Sequence, residues 1–375
     1  MKQTGFPVKE PLILQENVLL APYTTLKIGG NARYFVRAET EEAVSEALMF
    51  AESKGLPVFV LGGGSNVLIA DAGFDGLVLQ IALKGMVLSE PEAVATGLNV
   101  AFKNPVATAP GSDTSTSIFI TAKAGEDWDD FVEYCVENNL AGVECLSGIP
   151  GFVGGTPVQN VGAYGQEVSE TIVSVRCFDS KMKEFEALSN DKCGFTYRTS
   201  IFNSTKRDRY IVLSVTFALE KDGAPKIVYK DLIDRFGERQ PSLAEVRDAV
   251  LQIRRSKSMV IDAKDPNSQS AGSFFKNPIV GKEKLTELRI GYEGIPSFKF
   301  ADSVKIPAAW LIENAGFQKG FTLGKAGIST NHTLAIINRG GASADEILSL
   351  KDEIQISVEA KFGILLHTEP VFVGF

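Results

Sequence analysis

Apolar residues recur at helical spacing in four stretches of the chain, and each stretch carries its own start or stop signal. Residues 40–61, TEEAVSEALMFAESKGLPVFVL, predict a helix capped at Thr40 and stopped near Gly55, followed by a strand. In EDWDDFVEYCVENNLAG, Trp128, Phe131, Val132, Cys135 and Val136 fall on one face and predict a second amphipathic helix. Two later helices open on capping boxes, Ser242 with Glu245 and Ser343 with Glu346, in which hydroxyl and acid satisfy orphan N–H groups. The last of them lines up Ile347, Leu350, Ile354, Val358 and Phe362 and ends at Gly363. IVSVRC (172–177) and YIVLSVTFA (210–218) read as sheet strands, and the composition shift across 221–241 reads as a linker region. The pattern predicts an α+β protein with a glycine-rich N-terminal half and a separate C-terminal module.

Two stretches fit neither period. NPVATAPGSDTSTS (104–117) is poor in large apolar residues, so 85–120 is expected to be an exposed hairpin or loop insertion without a functional part. SGIPGFVGGTPVQNVGAYG (147–165) packs six glycines and two prolines into nineteen positions with no charge. Pro150, Pro157 and the glycines would break a membrane-spanning helix. The first twenty residues scatter charges and prolines where a signal peptide needs an apolar core, so the chain is expected to be cytoplasmic.

At 375 residues the chain exceeds one core and predicts two or three domains. A net charge of −8 provides no global basic field for nucleic acid, so an anionic ligand must be held by local Arg, Lys and N–H groups. Cys135, Cys145, Cys177 and Cys193 form no CxxC pair. They read as reduced, mostly buried thiols rather than a zinc site or disulfide frame.

GGGSN (62–66) follows a predicted strand, where nucleotide-binding loops occur. Val67 nevertheless stands where the dinucleotide fingerprint needs its third glycine, and no helix opening follows. GFTLGKAG (320–327) sets Gly320 and Gly324 too close for a phosphate loop and has Ala326 in place of the metal-holding Ser or Thr. Alone, GGGSN would be a plain strand turn. Two glycine-rich loops in one half-chain point instead to bare backbone N–H groups approaching phosphate oxygens, with 147–165 as the expected diphosphate cradle.

TTLKIGGNARYFV (24–36), VFVLGGGSNVLI (58–69), AGEDW (124–128), IPGFVGGTPVQNVGAYG (149–165), YRTSIF (197–202), AGSFFKNP (271–278) and LLHTEPVFVGF (365–375) together resemble the UDP-N-acetylenolpyruvoylglucosamine reductases of peptidoglycan precursor synthesis. The likeness runs from about residue 20 to the end, apart from 85–120. It implies an FAD-binding fold of the vanillyl-alcohol-oxidase type, built from two α+β subdomains, plus a C-terminal α+β substrate-binding domain. In this chain those would be residues 1–83, joined by a C-terminal strand 365–375, then 84–222, then a linker and substrate domain over 223–364. The resemblance also implies a monomer and NADPH as hydride donor. FAD would be non-covalent, since the two histidines, His332 and His367, lie far along the sequence from the FAD-binding half.

Residue by residue, the resemblance places Gly62, Gly63, Gly64, Ser65 and Asn66 at FAD. From the second loop it adds Ile149, Pro150, Gly151, Gly154, Gly155, Thr156, Gln159, Asn160, Gly162 and Ala163. The implied reaction passes hydride from NADPH to flavin and then to C3 of the substrate's enolpyruvyl ether, leaving an enolate that needs a proton at C2. Ser273 would be the proton donor, a role open to a positioned hydroxyl because the enolate carbon is a strong base. Its ordinary alternative is a turn serine bonded to the backbone. Arg198 would fork onto the substrate carboxylate and the growing enolate charge, its alternative being a structural ion pair. Glu369, the acid of an apolar C-terminal stretch, would help stabilise or protonate the enolate. Pro370 and Val371 depart here from the Val and basic residue of many relatives. Tyr229 and Lys257 would close over the UDP diphosphate, with Tyr164, Arg254, Lys276 and Asn277 as neighbours, and IVYKDL marks the branch that has an extra tyrosine loop. An oxidase on the same flavin fold, or a silent flavin- or nucleotide-sugar-binding protein, are the competing readings.

Overall fold

The computed structural model describes residues 12–89 and 117–375. The chain begins with β1 (Gln15–Leu19), β2 (Asn31–Ala38), α1 (Glu41–Lys54), β3 (Val58–Leu61), β4 (Val67–Ile69) and β5 (Phe74–Ile81). The Thr40 hydroxyl accepts from the Ala43 N–H at 3.1 Å, and Gly55 closes α1 in left-handed backbone at φ 63°, as the capping pattern predicts. The first sheet runs β1-β2-β5-β3, parallel except for the antiparallel edge strand β1. Strand β5 is buried on both faces: Leu77, Leu79 and Ile81 join the cluster under α1, while Val78 joins Phe35, Leu61 and Val373. Burial of both faces is what a continuous apolar strand in a parallel sheet requires.

Next come β6 (Met86–Ser89), β7 (Ser117–Lys123), α2 (Trp128–Glu137), β8 (Leu140–Ala141), β9 (Gly162–Ala163), β10 (Gln166–Glu167), β11 (Ile172–Asp179), β12 (Glu184–Ser189) and β13 (Tyr210–Lys221). They form an antiparallel sheet, β12-β11-β13-β7-β6, with β8 beside the end of β13, while β9 and β10 pair as a small hairpin. The predicted face of α2 is the buried one, and its Trp128 and Phe131 rings pack on Phe217 of β13 at 6.0 and 4.8 Å. One apolar core runs through both sheets, from Val36 and Leu79 to Val175 and Phe217.

The expected insertion 85–120 needs correcting at its end. β7 is a sheet strand between β13 and β6, and Ile120 and Ala122 alternate into the core. Residues 117–120 therefore belong to the sheet, and β6 with β7 makes the stem of a hairpin. Residues 104–116 lie outside the described residues.

The remainder comprises α3 (Lys230–Phe236), α4 (Leu243–Ser256), β14 (Ile279–Val280), α5 (Lys282–Gly291), β15 (Phe298–Phe300), β16 (Ser303–Lys305), α6 (Ala308–Asn314), β17 (Thr322–Leu323), β18 (Ala326–Ile328), β19 (Ile336–Asn338), α7 (Ala344–Phe362) and β20 (Val371–Val373). Both capping boxes form, with Glu245 and Glu346 each bonded to its N-cap serine N–H at 2.8 and 3.0 Å. The expected linker 221–241 holds α3, whose Leu232 and Phe236, spaced at i and i+4, pack with Val246 and Val250 of α4. The predicted face of α7 gathers a second core with Phe274, Phe275 and Leu311. The chain then returns: β20 pairs in parallel with β4, Val371 opposite Val67. That return brings the residues just before β20 beside the GGGSN loop. All four cysteines are buried free thiols. No helix among the described residues is long and apolar enough to cross a membrane.

Candidate active site

Two glycine loops meet at the end of β3. A Cβ on Gly63 would stand 2.8 Å from the Cα of Gly151, and one on Gly151 would stand 2.7 Å from the Ser65 hydroxyl. Gly64 has φ 66°, and its Cβ would lie 1.9 Å from the Tyr23 carbonyl oxygen, so this position admits only glycine. The N–H groups of Gly63, Gly64, Ser65 and Asn66 donate to no described residue. Four consecutive free donors form an anion-binding nest. A Cβ on Gly62 meets nothing within 4 Å, so the backbone there faces open space. Nearby on β5, in register with Leu61, Gln80 has a buried side-chain oxygen with no partner. Bare backbone, free donors and an orphan acceptor fit a large anionic cofactor such as FAD.

The second loop ties down part of its own backbone. The N–H groups of Gly154, Gly155 and Thr156 donate to the carbonyls of Ala124, Phe152 and Val153. The tight turn at 153–155 satisfies its own donors, but the N–H groups of Gly151 and Phe152 donate to no described residue, so both loops present free donors. Thr156 donates its hydroxyl to Val153, and Asn160 bonds Glu167, Thr196 and Ser169. These two side chains shape the loop and leave only backbone to a ligand. Ile149 and Ala163 pack on the main core, and Pro150 precedes the contact at Gly151.

Asn66 ties three distant segments together. Its side-chain N–H groups donate to Gln159 at 2.8 Å and to the Glu369 carbonyl at 3.2 Å, while its own carbonyl accepts from Val371 at 3.0 Å. Glu369 and Arg198 approach to 3.5 Å, with side chains only 13% and 20% exposed. Arg198 also donates to the Gly162 carbonyl at 2.5 Å, which fixes its guanidinium against the β9 hairpin. Burial pushes the Glu369 carboxyl above its ordinary value, and the Arg198 and Lys276 charges pull it back. Ser273 directly precedes a segment that meets this one: the Glu369 N–H donates to the Phe274 carbonyl at 3.0 Å, and Phe275 bridges Thr368. The Ser273 hydroxyl is half-buried and bonds no described residue, so the turn-capping alternative is not what this serine does. Asn160, Tyr164 and Arg198 sit in left-handed backbone at φ 46°, 48° and 54°, a cost non-glycine residues bear where surrounding structure over-determines them.

A second group lies at the β9–β10 turn. Tyr164 and Tyr229 meet edge to face at 5.2 Å, and the Lys257 ammonium lies 5.9 Å over the Tyr164 ring and 3.3 Å from the Asp231 carboxylate. Burial pushes the Tyr164 hydroxyl up to about 12, so it stays a neutral donor. Arg254 is buried and donates to the Gly148 and Met259 carbonyls at 3.1 and 2.7 Å; it braces the glycine-rich loop from behind. Asn277 accepts from the Ala308 N–H at 2.8 Å, and the Lys276 N–H donates to the His367 carbonyl at 2.9 Å. Sequence reasoning passed over Lys305 and its contact with Tyr197, although YRTSIF already marked the tyrosine's position.

Comparison with known proteins gives this geometry its class. Residues 32–101 and 107–184 match the FAD binding domain, and residues 265–373 match the C-terminal domain of UDP-N-acetylenolpyruvoylglucosamine reductase. The chain is an FAD-binding α+β flavoprotein with an added C-terminal domain. It is similar to the UDP-N-acetylenolpyruvoylglucosamine reductases of Thermobifida fusca (43% identical over 96% of this chain and 97% of the relative) and Streptomyces coelicolor (42% over 97% and 91%). In fold it matches the crystal structure of the reductase from Thermus caldophilus, with a TM-score of 0.61 at 24% identity over 96% of this chain and 100% of that one. The chain belongs to the UDP-N-acetylenolpyruvoylglucosamine reductase family.

Proposed function

We propose that this protein reduces UDP-N-acetylenolpyruvoylglucosamine to UDP-N-acetylmuramate with NADPH as the electron donor. The observation that carries the reading is the Arg198–Glu369 pair, tied through Asn66 to the GGGSN loop, with the Glu369 N–H bonded to the Phe274 carbonyl next to Ser273. FAD held by the 62–66 nest, Gly151 and Gln159 would supply the hydride relay from NADPH to C3 of the enolpyruvyl ether. Arg198, rigidly held by Gly162, would face the developing enolate with fixed positive charge, which costs no reorganisation at the moment of reaction. Ser273 would deliver its proton to C2. Glu369, whose carboxyl burial pushes above its ordinary value, would support that transfer and offset the enolate charge. Tyr229 and Lys257 would close over the UDP diphosphate, with Tyr164, Lys276 and Asn277 as neighbours and Arg254 fixing the glycine-rich loop.

Glu369→Gln keeps the shape and removes the charge. It is expected to slow substrate reduction by roughly 10²–10³ while leaving reduction by NADPH near the parent rate. Pre-steady-state absorbance separates the two steps, and an equal loss in both would remove Glu369 from the substrate chemistry. Replacing residues 104–116 with a short Gly-Ser linker is expected to leave flavin content and turnover nearly unchanged, since polar connections tolerate length changes at little cost. Loss of flavin on that deletion would place the segment at the cofactor.

The reading itself is tested by steady-state turnover with mass analysis of the product. Oxidation of NADPH that depends on UDP-N-acetylenolpyruvoylglucosamine, with a product heavier by two hydrogens, is expected. Oxidation that depends on oxygen instead would favour an oxidase and sink the reductase reading.

A further inference from the structure

Lys305 takes no part in the roles assigned above, yet it stands inside the site. It lies on β16, paired with Ile279 of β14 and Phe298 of β15, and the following residue, Ile306, donates its N–H to the Pro278 carbonyl next to Asn277. Its ammonium nitrogen is 3.7 Å from the centre of the Tyr197 ring and 4.6 Å from that of Phe300, and the two rings meet edge to face at 5.9 Å. The Arg198 guanidinium lies over the same Tyr197 ring at 5.4 Å. Two cations therefore share one aromatic ring.

Among the described residues the Lys305 ammonium makes no hydrogen bond and no ion pair. Glu369 is already committed to Arg198. Burial, and then repulsion from Arg198, push the Lys305 ammonium below its ordinary value, with Glu167 pulling it back. Ring faces hold a cation by its charge and take up none of its three N–H donors, so the ammonium is positioned while its donors stay available. A fixed cation with free donors, next to a second cation, favours a small anion entering between them.

We propose that the Lys305 ammonium, held on the Tyr197 and Phe300 rings, binds the carboxylate of the substrate's enolpyruvyl group together with Arg198. The inference rests on the reductase reading above. A carboxylate suits the place because it is adjacent to the carbon that Arg198 and Ser273 serve; Tyr164, Tyr229 and Lys257 form a separate group, and the Asn277 amide oxygen is taken by the Ala308 N–H. Lys305 would thus select ligands that carry the enolpyruvyl acid.

Binding of two probes to the FAD-loaded protein, followed by the flavin spectrum, tests this. The probes are UDP-N-acetylenolpyruvoylglucosamine and UDP-N-acetylglucosamine, which lacks the carboxylate. Lys305→Met is expected to retain flavin and to weaken the first by about 10–100-fold while leaving the second within about twofold, the worth of one charge-assisted hydrogen bond. Lys305→Arg should recover most of the loss. Equal weakening of both probes, or of neither, would overturn the proposal and leave Lys305 as packing for Tyr197. Failure of the parent protein to bind the enolpyruvyl probe would instead strike at the reductase reading.

Discussion

Ser273→Ala is expected to bind FAD and to bleach with NADPH at near the parent rate, yet to recover with UDP-N-acetylenolpyruvoylglucosamine roughly 10²–10⁴ more slowly. The asymmetry follows from where the hydroxyl stands. The backbone around it is held independently, by the Phe274 N–H on the Leu334 carbonyl at 2.8 Å and by the Glu369 N–H on the Phe274 carbonyl. Removing a hydroxyl that bonds no described residue leaves that frame intact, so only its proton is lost. Reduction by NADPH requires no proton on the substrate carbon, and recovery does. Stopped-flow absorbance reads the two steps separately. Equal slowing of both would make Ser273 a positioning residue for the flavin.

Gly64→Ala is expected to yield a protein that purifies largely without FAD. The added methyl would stand 1.9 Å from the Tyr23 carbonyl oxygen, and backbone cannot turn aside as a flexible side chain can. The left-handed φ of 66° adds about 1–2 kcal/mol against any residue with a Cβ. The loop is also tied by the Thr25 N–H on the Gly64 carbonyl at 3.1 Å, so it must shift as a unit and spoil the row of free donors at 63–66. Losing two charge-assisted bonds to a diphosphate would weaken FAD by roughly 10²–10⁴-fold. Flavin content after purification and an FAD titration of the apoprotein measure this directly. Full flavin loading would show that the cofactor does not depend on this loop.

Much of the fold was legible because its signals are local. Thr40 and Gly55 bracket α1, the apolar face of α2 is five residues of one short stretch, and the serine boxes start α4 and α7 where they stand. What escaped depends on context. β7 lies next to a segment of turn formers and was absorbed into an insertion, although its alternating isoleucines face the core. The seven residues of α3 were too short to stand out within a polar linker.

The site follows the same division. The glycine motifs mark which segments matter, but free donors can be found only by asking where each N–H goes, which picks out 63–66 and Gly151–Phe152. The bond from Asn66 to Glu369 spans 303 positions and exists because β20 returns to β4. Arg254 reads in sequence like any cleft arginine, and only its burial shows that it serves the loop. Lys305 sits in an unremarkable strand, SVK, whose chemistry is created by rings on other segments.

The measurement that bears most directly on the assigned reaction is an anaerobic two-step experiment on the parent protein, followed at the flavin absorbance. One equivalent of NADPH is expected to bleach the flavin. UDP-N-acetylenolpyruvoylglucosamine should then restore the colour in the absence of oxygen, and UDP-N-acetylglucosamine should not. Recovery only on admitting air, or equally with both nucleotide sugars, would contradict the assignment.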